Sequence, residues 1–545
     1  MRSVCSLPTA ARVMLLGALT LCCTAQQQRR RPGELVWAIG SDPKTFDPAK
    51  VDDQSSETVR HLTAGVLLRF NRSTQKTDPE LAESWSTSPD GRILTIRLRP
   101  GLLFSNGAKL TSQDTILSIR RVLSHPDLYP AAQEFVEPAN VKLSAPDQTT
   151  VRIQLPRRVI AIDRVLEEIA IEPAGTDSEA RVTAGPFVVS EYERAQHIRL
   201  TRNPLYFKTD SSGHRLPYAA GIRLDIVSNP EQEIRSFLRG DYDLIENLGA
   251  DYFDLLKQKA PVSVRDVGAS LNTEQLWFNE SSRAPLPEWE KLWFRNQSFR
   301  KAVSLALHRD DLARIAYQGH ATPAYSYISP ANTIWHNEKI VVPNSELANA
   351  RTLLLHAGFT YAKDSLRDSS GHPVKFSILT NVGNSQRMKM ATLIQHDLAE
   401  LGMQVSVVSL DFPALIDRLM QTQDYEACLL GIENVDPEPN AMMNVWLSSS
   451  PNHQWNPSEK SPETPWEAEI DHQMHVQASA TRWDERKRAV DRVQEIVAEQ
   501  QPFIYLVYPN ALYAISPRLE GVTPSRLQPG LTWDPEWLRV GGSRQ

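Results

Sequence analysis

The chain has 545 residues, 41% of them hydrophobic and 23% charged, with a formal charge of −6 at pH 7. That length supports two or three folded units with substantial cores, and the ordinary composition excludes a disordered chain. Lysine and arginine are interspersed with acids, so no concentrated basic face suited to nucleic acid is expected.

The first feature in chain order is a leader. Arg2 and Arg12 precede an apolar run from Val13 to Leu21, too short to span a bilayer but right for a signal-peptide core. Residues 1–25 are therefore expected to be a signal peptide. Its end reads two ways, as lipidation at Cys22 or Cys23, which is preferred and would tether the chain to a membrane, or as simple cleavage at small residues. The basic run at Arg29, Arg30 and Arg31 reads as a processing flank. No later stretch reaches ~18 uninterrupted apolar residues, so a soluble body on the extracytoplasmic side is expected. Cys5 also lies in the leader, which leaves Cys428 as the lone thiol of the body. It cannot form an internal disulfide, and in the run Ala427, Cys428, Leu429, Leu430 it reads as a small buried hydrophobe.

Leu94, Ile96 and Leu98 alternate with Thr95, Arg97 and Arg99, the period of a half-buried strand. Asn106-Gly107 supplies a tight turn, and Thr111 with Asp114 makes a helix-starting box ahead of Ile116, Leu117, Val122 and Leu123. Further on, Phe299, Ala302, Val303, Ala306 and Leu307 form a helical stripe. A second stripe from Met390 to Leu401 stops at Gly402, before the strand-like run from Gln404 to Val408. This punctuation predicts α/β lobes with helix-covered sheets, separated by Pro-, Gly- and Ser-rich loops over 208–217, 281–287 and 448–465.

Chemical signatures are scarce. The chain has no nucleophile elbow, zincin helix, paired-cysteine motif or phosphate-binding glycine run. His472 and His475 could share a helix face as metal ligands, but a solvated face is the preferred reading. No metal, cofactor or catalytic residue is assigned.

The order and spacing of several segments carry more. Residues 78–85 (DPELAESW), 88–91 (SPDG), 98–101 (LRPG), 104–107 (FSNG) and Leu110-Thr111 with Asp114 resemble the signature of the family 5 extracellular solute-binding proteins. These are the oligopeptide-, dipeptide- and nickel-binding receptors of ABC importers. The likeness continues through 41–48 (SDPKTFDP), 183–187 (TAGPF), 202–207 (RNPLYF), 237–243 (FLRGDYD), 299–306 (FRKAVSLA) and 350–359. The resemblance implies an α/β periplasmic-binding-protein-like fold with two discontinuous lobes, a two-strand hinge and an extra third domain. Its expected division is residues 33–75, 182–270 and 505–545 for lobe I, 76–181 for the extra domain and 271–504 for lobe II. The implied partners are a peptide or peptide-like solute and the permease subunits of an importer, with the chain a monomer and no enzyme.

In peptide-binding relatives, a carboxylate in a Gly-Trp-x-x-Asp-x-x-Asp/Glu-Pro pattern holds the solute's α-ammonium. The matching segment here runs from Gly431 to Pro439, with Ile432 where the aromatic is expected and Val435 where the aspartate is expected. A buried ammonium needs a charge partner, so Glu433 and Asp436 become the candidates, with Asn434 between them. Otherwise the solute has no free amine and is a modified peptide, sugar or metal complex. Trp277 and Asn279 are expected near the crossing into lobe II, where they would line the cleft or sit in a core strand. Arg387 opens a helix and could meet an anionic group. Tyr327 and Trp335 flank a proline-rich segment as candidate recognition aromatics. The rival readings are a sensory receptor of the same fold and a two-lobed secreted hydrolase using Glu433, Asp436 and Glu438 as acid and base.

Overall fold

The computed structural model describes residues 30–541 apart from 127, 130, 132–134, 136, 176–180, 342–345 and 435. The expected signal peptide, both candidate lipidation sites and Val435 lie outside the described residues.

After a first strand, β1 (Glu34–Ile39), the chain builds a separate antiparallel sheet. Strands β2 (Ala82–Thr87), β3 (Ile93–Leu98), β4 (Lys142–Ser144) and β5 (Thr150–Gln154) pair in the order β2-β3-β5-β4. Helices α1 (Ser112–Ser124) and α2 (Ile162–Glu168) accompany them. On β3, Leu94, Ile96 and Leu98 are buried, as the alternation required. Gly107 takes φ +86° in the turn, and Asn106 Oδ1 accepts from Ala108 N at 3.0 Å. The helix box forms too, since the Asp114 carboxylate accepts from both the backbone N and Oγ1 of Thr111 at 2.8 Å. Such a cap is worth about 1 kcal/mol.

The chain then returns to β1. Strands β6 (Phe187–Glu193), β7 (His197–Arg202) and β8 (Gly221–Ile226) complete a sheet of order β1-β8-β7-β6, in which β1 runs parallel to β8. The short β9 (Leu244–Ile245) and α3 (Ala250–Lys259) lead to β10 (Val264–Ala269) and β11 (Thr273–Phe278). Next come α4 (Gln297–Ala306), β12 (Ala321–Pro323), β13 (Lys375–Asn381), α5 (Ser385–Glu400), β14 (Gln404–Leu410) and β15 (Ala427–Ile432). Two helices, α6 (Pro465–Ser479) and α7 (Trp483–Gln500), precede the twelve-residue β16 (Ile504–Ile515).

These strands share an eight-stranded mixed sheet of order β9-β16-β11-β15-β13-β14, with β10 and β12 also paired to β16. Its β11–β15 region is covered on both faces. One face packs Leu276, Phe278 and Ile378 against α4 and α5, and the other packs Trp277, Cys428 and Tyr505 among Trp446, Trp455 and Phe503. Cys428 is a fully buried free thiol. At roughly 1.5–3 kcal/mol per buried large side chain, these two layers dominate the stability of this half.

Strand β16 belongs to both halves of the molecule. Its first part pairs with β11 at Ile504, Tyr505 and Val507, and its last part pairs with β10 between Asn510 and Ala514. The chain therefore crosses between the halves twice, at 269–273 and along β16. Ser270 ties the crossings together, since its N and Oγ both donate to the Pro509 carbonyl, at 2.9 and 2.7 Å. The halves also touch away from this hinge. Asp251 on α3 accepts from Ser385 Oγ, Gln386 Nε2 and Lys389 Nζ on α5, each at 3.1 Å. Gln75 donates to the Ala331 carbonyl at 2.6 Å and accepts from Thr333.

Candidate functional site

Strands β13, β14 and β15 run parallel and end together at Asn381, Leu410 and Ile432, close to the first crossing. Loops beyond the carboxyl ends of such strands are where α/β sheets place their ligands. The 433–438 loop and the first turn of α5 both emerge at this edge.

Arg387 sits in that first turn, where the Asn384 side chain caps α5 by accepting Arg387 N at 2.9 Å. Its guanidinium makes three bonds, with Nε and Nη2 on the two Glu274 oxygens at 2.8 and 3.1 Å and Nη1 on Asn381 Oδ1 at 2.9 Å. Tyr317 donates a further bond to Glu274 at 3.2 Å. Burial opposes the charge on Arg387, but Glu274 outweighs it and holds the guanidinium pKa above its ordinary value. The pair leaves little space above it, because a Cβ on Gly431 would lie 2.5 Å from Arg387 Nη2. Arg387 therefore fastens β11 to α5, and each of its three nitrogens is already bonded.

The loop residues differ sharply from one another. Asn434 is pinned to the hinge crossing, its N donating to Asn272 Oδ1 at 3.0 Å and its side chain to the Leu271 carbonyl at 3.1 Å. Asp436 is paired with Arg164 of α2 at 3.0 Å and accepts from Glu438 N at 2.8 Å. Arg164 also bonds Glu167 at 2.9 Å and lies 3.7 Å over the Phe70 ring. Glu438 is paired in turn with Arg486, although burial still raises its pKa. Glu433 alone is exposed, and its carboxylate meets no partner among the described residues.

Beside the loop lies a cavity of about 30 Å³ bordered by Leu271, Tyr327, Asn332, Asn434, Asp436 and Met442. That holds a water or two and no solute of peptide size. Tyr327 forms its inner wall, buried against Trp446 with ring centroids 4.5 Å apart, and its hydroxyl has no hydrogen-bond partner among the described residues.

Trp277 and Asn279 lie elsewhere, toward the far end of β11. Trp277 is fully buried with Nε1 donating to Tyr425 Oη at 3.3 Å, and Asn279 donates to the Gln423 and Tyr425 carbonyls at 2.9 Å. Both are interior residues whose polar groups are satisfied within their own half. Trp335 is buried as well, against Trp483. The site thus brings together Glu433, Asn434, Asp436 and Tyr327, with Arg387 beneath. Sequence reasoning missed Arg164 and Glu274. Their bonds to the site residues Asp436 and Arg387 span more than a hundred residues and carry no local signal.

The family model described as "Bacterial extracellular solute-binding proteins, family 5 Middle" matches residues 76–454. A probable ABC transporter-binding protein of Deinococcus radiodurans is 24% identical over 525 residues, covering 88% of this chain and 87% of its own. The oligopeptide-binding protein AppA of Bacillus subtilis is 22% identical over 509 residues, covering 90% and 88%. Among solved structures, the ABC transporter substrate-binding protein CtaP of Listeria monocytogenes superposes with a TM-score of 0.79 at 21% identity, covering 94% of this chain and all of its own. Among the described residues no helix is long and apolar enough to cross a membrane. With the family match spanning most of the sequence and the fold shared end to end, this chain belongs to the family 5 bacterial extracellular solute-binding proteins.

Proposed function

We propose that the protein is an extracytoplasmic receptor that closes on a peptide or peptide-like solute and delivers it to an ABC importer, without chemical turnover. In this reading residues 33–75, 182–270 and 505–545 form one lobe, 271–504 the other, and 76–181 the extra domain. A lipidated Cys22 or Cys23 tethers a monomer to the membrane. Support comes from the oligopeptide-binding relative and from the two crossings, which let contacts made by both halves favour a closed state. The observation that carries the peptide assignment is Glu433, an exposed carboxylate in the loop beyond β15 with no partner among the described residues. Asp436 and Glu438 already hold arginines, so Glu433 takes the role of ammonium partner, and neither of the other two is free for acid–base work.

The test begins with denaturing mass spectrometry of solutes that co-purify with the protein, expected to be short peptides. A recovered peptide and its N-acetylated form are then titrated into wild type and E433Q. A charged hydrogen bond of about 1.5–3 kcal/mol predicts a 10- to 150-fold preference of wild type for the free amine, largely lost in E433Q. Equal affinity for both forms would mean that the amine is not read and would favour an amine-free solute.

A further inference from the structure

The loop over 448–465 and the first turn of α6 bring three potential metal ligands together in the interior, away from the cleft. His453, Glu459 and Glu467 are 0, 6 and 2% exposed, and one ligand atom from each falls within 4.8 Å of the others. His453 Nδ1 lies 2.9 Å from the Val445 carbonyl. A carbonyl can only accept, so Nδ1 carries a proton, and in the neutral ring the lone pair lies on Nε2. That atom points between two carboxylates, 3.5 Å from Glu459 Oε1 and 3.6 Å from Glu467 Oε1. Neither distance is a charge-assisted hydrogen bond, which would be about 2.7–2.9 Å. His453 Nε2 and Glu459 Oε1 are both buried without a hydrogen-bond partner among the described residues.

Without a cation, two buried carboxylates and an imidazole lone pair face one another. No lysine or arginine reaches either carboxylate within 4 Å among the described residues, and the nearby Arg300 is occupied by Glu280 at 2.7 Å. Both carboxylates are further held by donors, as metal ligands usually are. Glu459 Oε2 accepts from Glu463 N at 2.7 Å, Glu467 Oε2 accepts from Thr464 Oγ1 at 2.7 Å, and Trp455 Nε1 steadies Glu467 Oε1 at 2.9 Å. A tetrahedral zinc ion with N and O ligands at 2.0–2.1 Å separates its ligands by about 3.3–3.4 Å, close to the spacing around Nε2.

We infer that His453, Glu459 and Glu467 form a structural zinc site that staples the 448–465 loop to α6. One imidazole, two carboxylates and one zinc ion are electrically neutral together, and water completes the tetrahedron. The site is independent of the solute cleft, so it stands or falls apart from the transport reading.

The full-length protein and the variants H453Q and E459Q are stripped with EDTA, reloaded with zinc chloride, dialysed exhaustively and assayed by elemental mass spectrometry. Wild type is expected to keep one zinc per chain and each variant less than a tenth of that. Cobalt reloading of wild type should give the visible absorption of a tetrahedral N/O site, lost in both variants. E459Q is nearly isosteric and decides the matter if H453Q fails to fold, with near-ultraviolet circular dichroism as the check. Wild type that retains no stoichiometric zinc overturns the inference, and so does zinc retention in E459Q equal to wild type, which would place the metal elsewhere.

Discussion

Asp436 and Glu433 stand three residues apart in one loop, yet Asp436 is held by Arg164 while Glu433 is free. D436N should therefore lower the unfolding midpoint, because Arg164 loses a partner, while leaving amine discrimination near wild type. E433Q should do the reverse, and a parallel set of peptide titrations and melts separates them. The same network has a pH signature. Glu167 is buried, and although burial raises its pKa, Arg72, Arg164 and Arg69 outweigh this and bring it down to about 2. A carboxyl depressed in the fold contributes stability that is complete above its unfolded value of about 4.3 and is lost as pH falls toward 2. Acid titration of the unfolding free energy should show this loss between about pH 4.5 and 2, and E167Q should flatten it. At pH 7 E167Q should cost about 3–5 kcal/mol, since two arginines lose their shared anion. Only the Arg164–Glu167 pair is local, three residues apart on one helix, and nothing local foretells the rest, because Arg164 and Asp436 are 272 residues apart.

Regular elements were far more legible, and the reason is periodicity. The alternation on β3, the turn at Gly107 and the Thr111–Asp114 box are local instructions, and each is found as read. The stripe from Met390 became α5, which starts a turn earlier at Ser385 because Asn384 caps it. Strand β11 shows the limit. All six of its residues are buried, so no alternation marks which side chains face a cleft, and Trp277 could not be told from a core residue. Gly185 shows a motif whose purpose only the fold explains. A Cβ there would lie 2.1 Å from the Thr63 carbonyl oxygen, at the end of the Gln54–Thr63 helix, so the 183–187 segment can pass only without a side chain. G185A should cost several kcal/mol, more than the roughly 1–3 kcal/mol of ordinary overpacking, because backbone must move. G101A, with φ +74° but open space, should cost only about 1 kcal/mol. Urea denaturation of the two compares crowding with conformation, and equal losses would discount the crowding.

At the scale of the molecule, the contacts between halves besides the hinge include the Arg164–Asp436 pair, Gln75 with Ala331 and Thr333, and Asp251 with Ser385, Gln386 and Lys389. With the halves so held, the cavity beside the 433–438 loop has room for water and not for a solute of peptide size, so in the proposed function the solute enters while they are apart. Closing contacts therefore set how much of the solute's binding energy is needed to complete closure. Asp251 is the cleaner probe because it lies far from the loop in sequence and three of its partners come from one helix turn, with Gln318 Nε2 donating as well. Its pair with Lys389 is 41% exposed on each side, and such pairs contribute about 0.2–1 kcal/mol. D251A should accordingly shift the solute-free protein toward a more open form and weaken solute binding by about two- to fivefold. The melting temperature should hardly change, because each half keeps its own core. Small-angle scattering without solute should show a larger radius of gyration for D251A than for wild type, and the difference should vanish at saturating solute. An unchanged radius and affinity would mean that these contacts follow closure without favouring it, leaving the solute and the Ser270-linked crossings to set the equilibrium.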